Sequence, residues 1–317
     1  MLRKRKNWLS AQALDNNMTR LKVKNAYVSG PVELKYIMSM RKPLSDKRAN
    51  GSVLIIGGSK DYHGAPVLAA GAAYSALAAL RSGAGYAKVA VPSCILDPVR
   101  SLSADIIAFA NGRNCIAFDS RIRQEIEKAD TVAIGMGIGR SAAADRAASD
   151  IIVRCGSSDK KTVIDAEGIR VLSKHRKLGI GRNAVITPNQ KEFESLARSS
   201  VPEEDELAER KRVAMGVAKE MQAVIVLKGH TTIITDGSRA AVNKAGSSAL
   251  AVMGTGDVLS GIIAGLAVNA RGTYEAAVAG VFLHSSIGDM LYKRVGAHIL
   301  ASDIANSMPE FFRGFGR

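Results

Sequence analysis

The sequence predicts an α/β fold, a three-layer sandwich with a mostly parallel central sheet flanked by helices. Three observations carry that prediction. Short β-branched runs alternate with longer helical segments from about residue 50 onward. Most of those runs end in glycine or a polar turn. No internal repeat and no linker divides residues 41–317, which read as one domain, with residues 1–40 as a basic extension.

The first strand is read at 53–56, VLII, running into Gly57-Gly58-Ser59. A loop through Tyr62, His63 and Gly64 leads into a small-residue helix over 65–82, which Gly83-Ala84-Gly85 stops before a strand at 87–91. The run TVAI at 131–134 ends in Gly135-Met136-Gly137-Ile138-Gly139. Strands at 162–165 and 184–187 follow, the second entering Pro188-Asn189. One acidic-then-basic helix should precede the strand AVIVL at 223–227, after which come Lys228, Gly229 and His230. Thr232–Thr235, Asp236-Gly237 and Ala240–Val242 read as a hairpin. Long helices are expected over 257–269 and 274–294. Ordered structure should begin between Val32 and Leu44. The stretch before it is either a mobile extension or an upstream start that the native protein does not use.

Charge narrows the function. The formal net charge is +15, yet residues 1–50 hold 12 Lys/Arg against 3 Asp/Glu, a surplus of nine, which leaves +6 for the rest. A mildly basic body suits an anionic small molecule, and no zinc-finger, helix-turn-helix or aromatic-interleaved basic pattern argues for nucleic acid as partner. Cys94, Cys115 and Cys155 are odd in number and widely spaced, as expected of thiols in a reducing compartment. No apolar core follows the basic N-terminus, and the apolar run 65–80 is short and Ala-rich. A soluble cytoplasmic protein with no membrane partner is the expectation.

The residues that carry chemistry are Gly254-Thr255-Gly256-Asp257, just before VLSGIIAGL. A helix N-terminus offers unpaired N–H groups and partial positive charge, so Gly254, Thr255 and Gly256 can cradle a phosphoryl group. Asp257 repels phosphate but can accept a proton from a hydroxyl that attacks phosphorus. The plainer alternative is a first-turn acid that stabilises the helix. In open α/β sheets ligands sit beyond the carboxyl ends of the strands. The clusters at 57–64, 135–139, 187–192, 228–232 and 254–257 should therefore gather on one edge. Gly57-Gly58-Ser59 is not a Walker A loop, and Gly135–Gly139 misses the dinucleotide spacing by one residue. Glu192 could orient water on Mg²⁺ or simply begin a helix. Lys228, Gly229, Thr231 and Thr232 could hold nucleotide phosphate or ribose, or form a solvated loop. Asp165 stays open between ligand contact and turn cap, and the residues alone assign no role to the lone histidines His63 and His230.

In order and spacing, the segments GSVLIIGGSKDYHGAPVLAAGAAYSALAALRSGAGY, VAIGMGIG, VITPNQKEF, VIVLKGHTTII and MGTGDVLSGIIAGL resemble the ribokinase-like superfamily. Within it they are similar to the nucleotide-dependent NAD(P)H-hydrate dehydratases. The resemblance covers residues from about 40 to the C-terminus, and the GGS…GAP segment paired with GTGDVLSG is its specific part. It implies a ribokinase-like fold and a stand-alone dehydratase module. The reaction implied is ADP- or ATP-dependent, with Mg²⁺, and returns hydrated NADH or NADPH to NAD(P)H. The C6 hydroxyl is phosphorylated and phosphate then leaves, helped by the ring nitrogen lone pair. Asp257 would take the hydroxyl proton. Ala65, Gly137, Asn189 and Asp257 would contact the hydrated dinucleotide, while Lys228, Gly229, His230, Thr231, Thr232 and Gly256 would contact the nucleotide. A homo-oligomer, commonly a tetramer, is also implied. Two positions depart from the family pattern: Asn189 replaces the usual His after Thr-Pro, and Ser247–Met253 replaces a segment close to NPGMATG. A small-molecule kinase of the same fold, acting on a hydroxymethylpyrimidine, thiazole or sugar alcohol, is the alternative. A nucleotide sensor or basic nucleic-acid binder is the reading from another class.

Overall fold

A computed structural model describes residues 22–23, 26–28, 31–40, 44–60, 66–203 and 205–315. In chain order the strands are β1 (Lys22–Val23), β2 (Ala26–Val28), β3 (Ser52–Ile56), β4 (Tyr86–Val91), β5 (Ile107–Ala110), β6 (Thr131–Ile134), β7 (Lys161–Ile164), β8 (Ala184–Ile186), β9 (Val224–Leu227), β10 (Thr232–Thr235) and β11 (Ala240–Asn243). They form one sheet in the order β1-β2-β11-β10-β9-β8-β7-β6-β3-β4-β5. The pairs from β9 through to β5 are all parallel. The hairpin of β10 and β11 is antiparallel, with Thr232 opposite Asn243 and Thr235 opposite Ala240.

Alternation along each strand builds a core on both faces. Leu54 and Ile56 point into one cluster, Val53 and Ile55 into the other, and all four are essentially inaccessible. The first face is covered by α4 (Ser120–Lys128), α5 (Ala142–Ser157), α6 (Glu167–Lys174), α7 (Gln190–Ala197) and α8 (Leu207–Met221). The second is covered by α2 (Pro66–Arg81), α3 (Leu96–Leu102), α9 (Thr255–Asn269) and α10 (Thr273–Val295). Outside α9 and α10 lie α1 (Pro31–Ser39) and α11 (Ala301–Phe315), which enclose a third apolar cluster. This is the three-layer sandwich expected.

The Ala- and Gly-rich composition of α2 and α9 has a packing cause. A Cβ on Gly261 would stand 2.6 Å from Ser75 Cα, and one on Gly265 would stand 2.8 Å from Ala79 Cα. The two helices cross with backbone against backbone, which brings the first turn of α9 to the sheet edge beside α2.

Three expectations are corrected. The single acidic-then-basic helix is two, α7 and α8, because Arg198 ends α7 in the left-handed region (φ 56°). The sequence reading also lacks the edge strand β5 and its flanking helices α3 and α4. Packed structure also starts earlier than a 40/41 boundary suggests. β2 pairs in parallel with β11, and α1 buries Leu34 and Ile37 in the outer apolar cluster. Residues 1–21 lie outside the described residues.

Candidate active site

The carboxyl ends of the parallel strands interlock. Gly58 N–H donates to Met136 O (2.8 Å), and a Cβ on Gly57 would stand 2.5 Å from that same carbonyl. Gly135 (φ 128°) lies against the backbone of Asp165, close enough that a Cβ there would stand 2.9 Å from Gly168 N. Lys228 N–H donates to Pro188 O at 2.8 Å, joining the ends of β8 and β9. Glycine is required at 57 and 135 because a Cβ at either position would collide with loop backbone.

Asp165 follows β7 directly, and its carboxylate is the hub of a buried polar group. Oδ1 pairs with Lys228 Nζ at 3.1 Å and accepts Ala166 N–H at 2.9 Å. Oδ2 accepts from Ser260 Oγ of α9 at 2.7 Å. The next residue, Ala166, sits at φ 48° and ψ −124°, a conformation costly for any residue with a Cβ. Lys228 is held above its ordinary pKa. Burial works against its charge, and the carboxylates of Asp165, Glu192 and Asp257 outweigh that. Its ammonium would lie only 3.4 Å from a Cβ on Gly256, so it stands over the N-terminus of α9.

Gly254 begins α9 at φ 90°. Thr255 is spent on structure. Its hydroxyl lies 2.8 Å from Leu250 O and 2.9 Å from Val252 O, and its N–H also turns onto Val252 O at 3.3 Å. Thr255 N–H is therefore partnered within the turn, while Gly256 and Asp257 hold the second and third positions of the helix, where N–H groups lack an intrahelical partner. Asp257 itself points to α2: a Cβ on Gly71 would stand 2.5 Å from its Oδ2, and Ser75 Oγ donates to its carbonyl at 2.7 Å. Burial first, then the neighbouring Asp165 carboxylate, pushes its pKa up to about 7, and Lys228 opposes the rise.

On the other side of this turn lies a cavity of about 660 Å³. Lys228, Gly229, His230, Thr232, Asn189 and Gly256 line its polar end. Leu250, Ala251, Val252, Leu259 and Val281 give it an apolar wall. Thr255 and Gly256 of the first turn of α9 thus line the cavity, whereas the Asp257 carboxylate is turned away from it toward Gly71 of α2. Thr231, Gly254, Gly137 and Glu192 do not line the cavity. Gly137 is buried in the loop after β6, and Ala65, with His63, lies outside the described residues. Asn189 and Glu192 form a reciprocal cap on α7: Asn189 Oδ1 accepts Glu192 N–H at 3.0 Å, and Glu192 Oε2 accepts Asn189 N–H at 2.8 Å.

Two site residues are not assigned by sequence alone. Asp165, compatible in sequence with either ligand contact or turn cap, joins the site through Lys228 and Ser260, and His284 joins it from α10. His284 is buried on α10 and lines the cavity. Its Nε2 lies 3.0 Å from Thr255 O, and since a carbonyl only accepts, Nε2 carries the proton. Burial pushes its pKa down to about 4. The available signal was a histidine following the apolar run Ala276–Leu283 in a 23-residue helix.

The family model described as NAD(P)H-hydrate dehydratase matches residues 53–310 of this chain. The chain belongs to the NAD(P)H-hydrate dehydratase family. An ADP-dependent (S)-NAD(P)H-hydrate dehydratase of Cenarchaeum symbiosum is 34% identical over 289 residues, 89% of this chain and 95% of that protein. The bifunctional NAD(P)H-hydrate repair enzyme Nnr of Hyperthermus butylicus is 34% identical over 284 residues, and the chain spans only 52% of its length. A ribokinase-like superfamily protein of Enterococcus faecalis V583 superposes with a TM-score of 0.78 at 26% identity, covering 94% of this chain and 99% of its own. Asn189 is a strong helix cap and begins α7 in that role. The departure at 247–253 is a short 3-10 turn over Ser248–Leu250 that Thr255 pins from below.

Proposed function

We propose that the protein is an ADP-dependent dehydratase that returns hydrated NADH and NADPH to the reduced dinucleotides. The observation that carries this reading is the two-sided α9 N-terminus. A nucleotide-sized cavity reaches it from one side, and a carboxylate with a pKa near 7 faces it from the other. The base and ribose of ADP would occupy the apolar end, with its phosphates running past Lys228 to the N–H groups of Gly256 and Asp257. The hydrated ring would enter from the side of α2 and Gly137, with its C6 hydroxyl at Asp257, and Asn189 would meet it from the cavity rim. Asp257 accepts the hydroxyl proton as the oxygen bonds to the terminal phosphorus and the bond to AMP breaks. The C6–O bond then breaks with the ring nitrogen lone pair pushing, phosphate leaves, and loss of the C5 proton restores the double bond.

The donor set fits Mg²⁺ held mainly by water and phosphate. Burial raises the pKa of Glu192 against the pull of Lys228, and its Oε1 is the oxygen available to a hydrated cation. Among the described residues no group of three or more His, Cys, Asp or Glu could hold a metal unaided. Bound there, the ion would offset phosphate charge. A cytoplasmic homo-oligomer, commonly a tetramer in this family, belongs to the same reading. Its support is the resemblance, and no helix among the described residues is long and apolar enough to cross a membrane.

Incubation with hydrated NADH, Mg²⁺ and either ADP or ATP should restore absorbance at the reduced-nicotinamide band. No recovery with either nucleotide would sink the proposal. Recovery with ATP alone would leave the dehydration and overturn the ADP assignment.

A further inference from the structure

One face of α10 meets the rim of the cavity at four successive places. His284 holds the Thr255 carbonyl at the base of α9. One residue on, Ser285 Oγ accepts from Asn243 Nδ2 at 3.0 Å, and that same amide donates to Ala245 O at 2.9 Å. One helical turn further along, a Cβ on Gly288 would stand 2.7 Å from Leu250 Cγ and 2.8 Å from both of its Cδ atoms. Asp289 Oδ2 accepts Gly246 N–H at 3.1 Å, and Gly246 is held at φ 109°. The rim that departs from the family pattern is therefore docked on α10 by side chains and by a missing one.

We propose that Gly288 and Asp289 are positioning residues which set the width of the cavity on its apolar side, and so its grip on the base of the nucleotide. The proposal rests on the reading that this cavity takes an adenine nucleotide. Glycine is a poor residue for the middle of a helix, and alanine there would favour the helix. Its presence at 288 is explained by Leu250, which packs directly on the helix backbone and presents its other side to the cavity. A methyl group at 288 has to move Leu250, and the direction away from α10 is into the ligand space. Asp289 acts on the same rim by fixing Gly246, four residues before Leu250. Neither residue touches the cavity itself, so both act through the rim.

Three variants test this: Gly288→Ala, Asp289→Ala and Asp289→Asn. Gly288→Ala should melt at or above the wild-type temperature while its Kd and KM for ADP rise about fivefold, with the loss confined to KM. A merely structural glycine would move the melting temperature instead. In ligand-free protein, Asp289→Ala should speed amide exchange across residues 245–250 while α9 keeps its protection. Asp289→Asn, whose Oδ1 can still accept the Gly246 N–H, should restore most of that protection. Wild-type ADP affinity in Gly288→Ala, or unchanged rim exchange in Asp289→Ala, overturns the proposal. A wild-type protein that binds no ADP overturns the nucleotide reading and the ligand named here with it. Exchange measured without ligand decides separately whether α10 holds the rim.

Discussion

A carboxyl group with a pKa of about 7 is half ionised at neutral pH, so the fraction of Asp257 able to act as a base grows as pH rises through that point. Turnover limited by proton removal should therefore rise through about pH 7 and level off above it. Asp257→Asn should lose about 10²- to 10⁴-fold in rate, the usual contribution of a positioned base. The same substitution should stabilise the fold. Between the ordinary aspartate pKa near 4 and about 7, the folded state keeps a proton that the unfolded state has lost, so wild-type stability falls as pH rises across that window. Asparagine removes the penalty, and the variant's melting temperature should exceed the wild type's at pH 8 and match it near pH 3. His284 has the opposite slope. Its folded pKa of about 4 lies below the ordinary 6.5, so stability is lost as pH falls from 6.5 to 4. In Asp257→Asn the histidine slope is uncovered, and calorimetry over pH 4–8 should show a steeper acid decline than in the wild type. A variant equally stable at pH 8, or less so, would mean that Asp257 is a satisfied helix acid and not a strained base.

At the scale of elements, the contact of α2 with α9 both positions the site and supports it. Gly71 leaves room for the Asp257 carboxylate, so Gly71→Ala should turn that carboxylate away and cut the rate while changing stability little. Steady-state rates beside melting curves distinguish this from damage to the fold. Gly265 has no such outlet, because its Cβ would press on Ala79 backbone and on Ser82 Cβ at 2.9 Å. Gly265→Ala should cost about 1–3 kcal/mol by separating two helices of the core, measurable by chemical denaturation. The sequence announced these helices clearly, since AGAAYSALAAL and SGIIAGLAV allow little else than close packing. It announced the strands with equal clarity where both faces are buried, as in VLII and TVAI. β5 lies at the sheet edge, half-buried, and its apolar run IAFA is as long as TVAI but does not end in a glycine-rich cluster like the one that marks β6. The break between α7 and α8 was legible in Ser199-Ser200-Val201-Pro202, although the residue that ends α7 is an arginine and not a glycine.

For the molecule as a whole, the split of the site was the part that composition and spacing could not supply. Gly254–Asp257 reads as one cradle in the chain, yet in three dimensions Thr255 N–H turns inward and Asp257 faces the opposite side from the cavity. Which face of a helix turn meets which compartment depends on α2 and α10, more than 15 residues away on either side. The same long-range packing decides where the folded unit begins. Leu34 and Ile37 of α1 are 0% and 3% exposed, against α10, so the segment that looked like a charged extension closes the outer layer. Burying two such side chains contributes roughly 3–6 kcal/mol. A chain starting at residue 41 should therefore be less stable than one starting at residue 31 by about that amount, with the difference read from urea midpoints at equal m. Because α1 supports α10, and α10 carries His284, Ser285 and Asp289, the shorter chain should also bind ADP more weakly than the longer one. Equal stability of the two chains would show that α1 merely rests on the domain, and that the first 40 residues are separable after all.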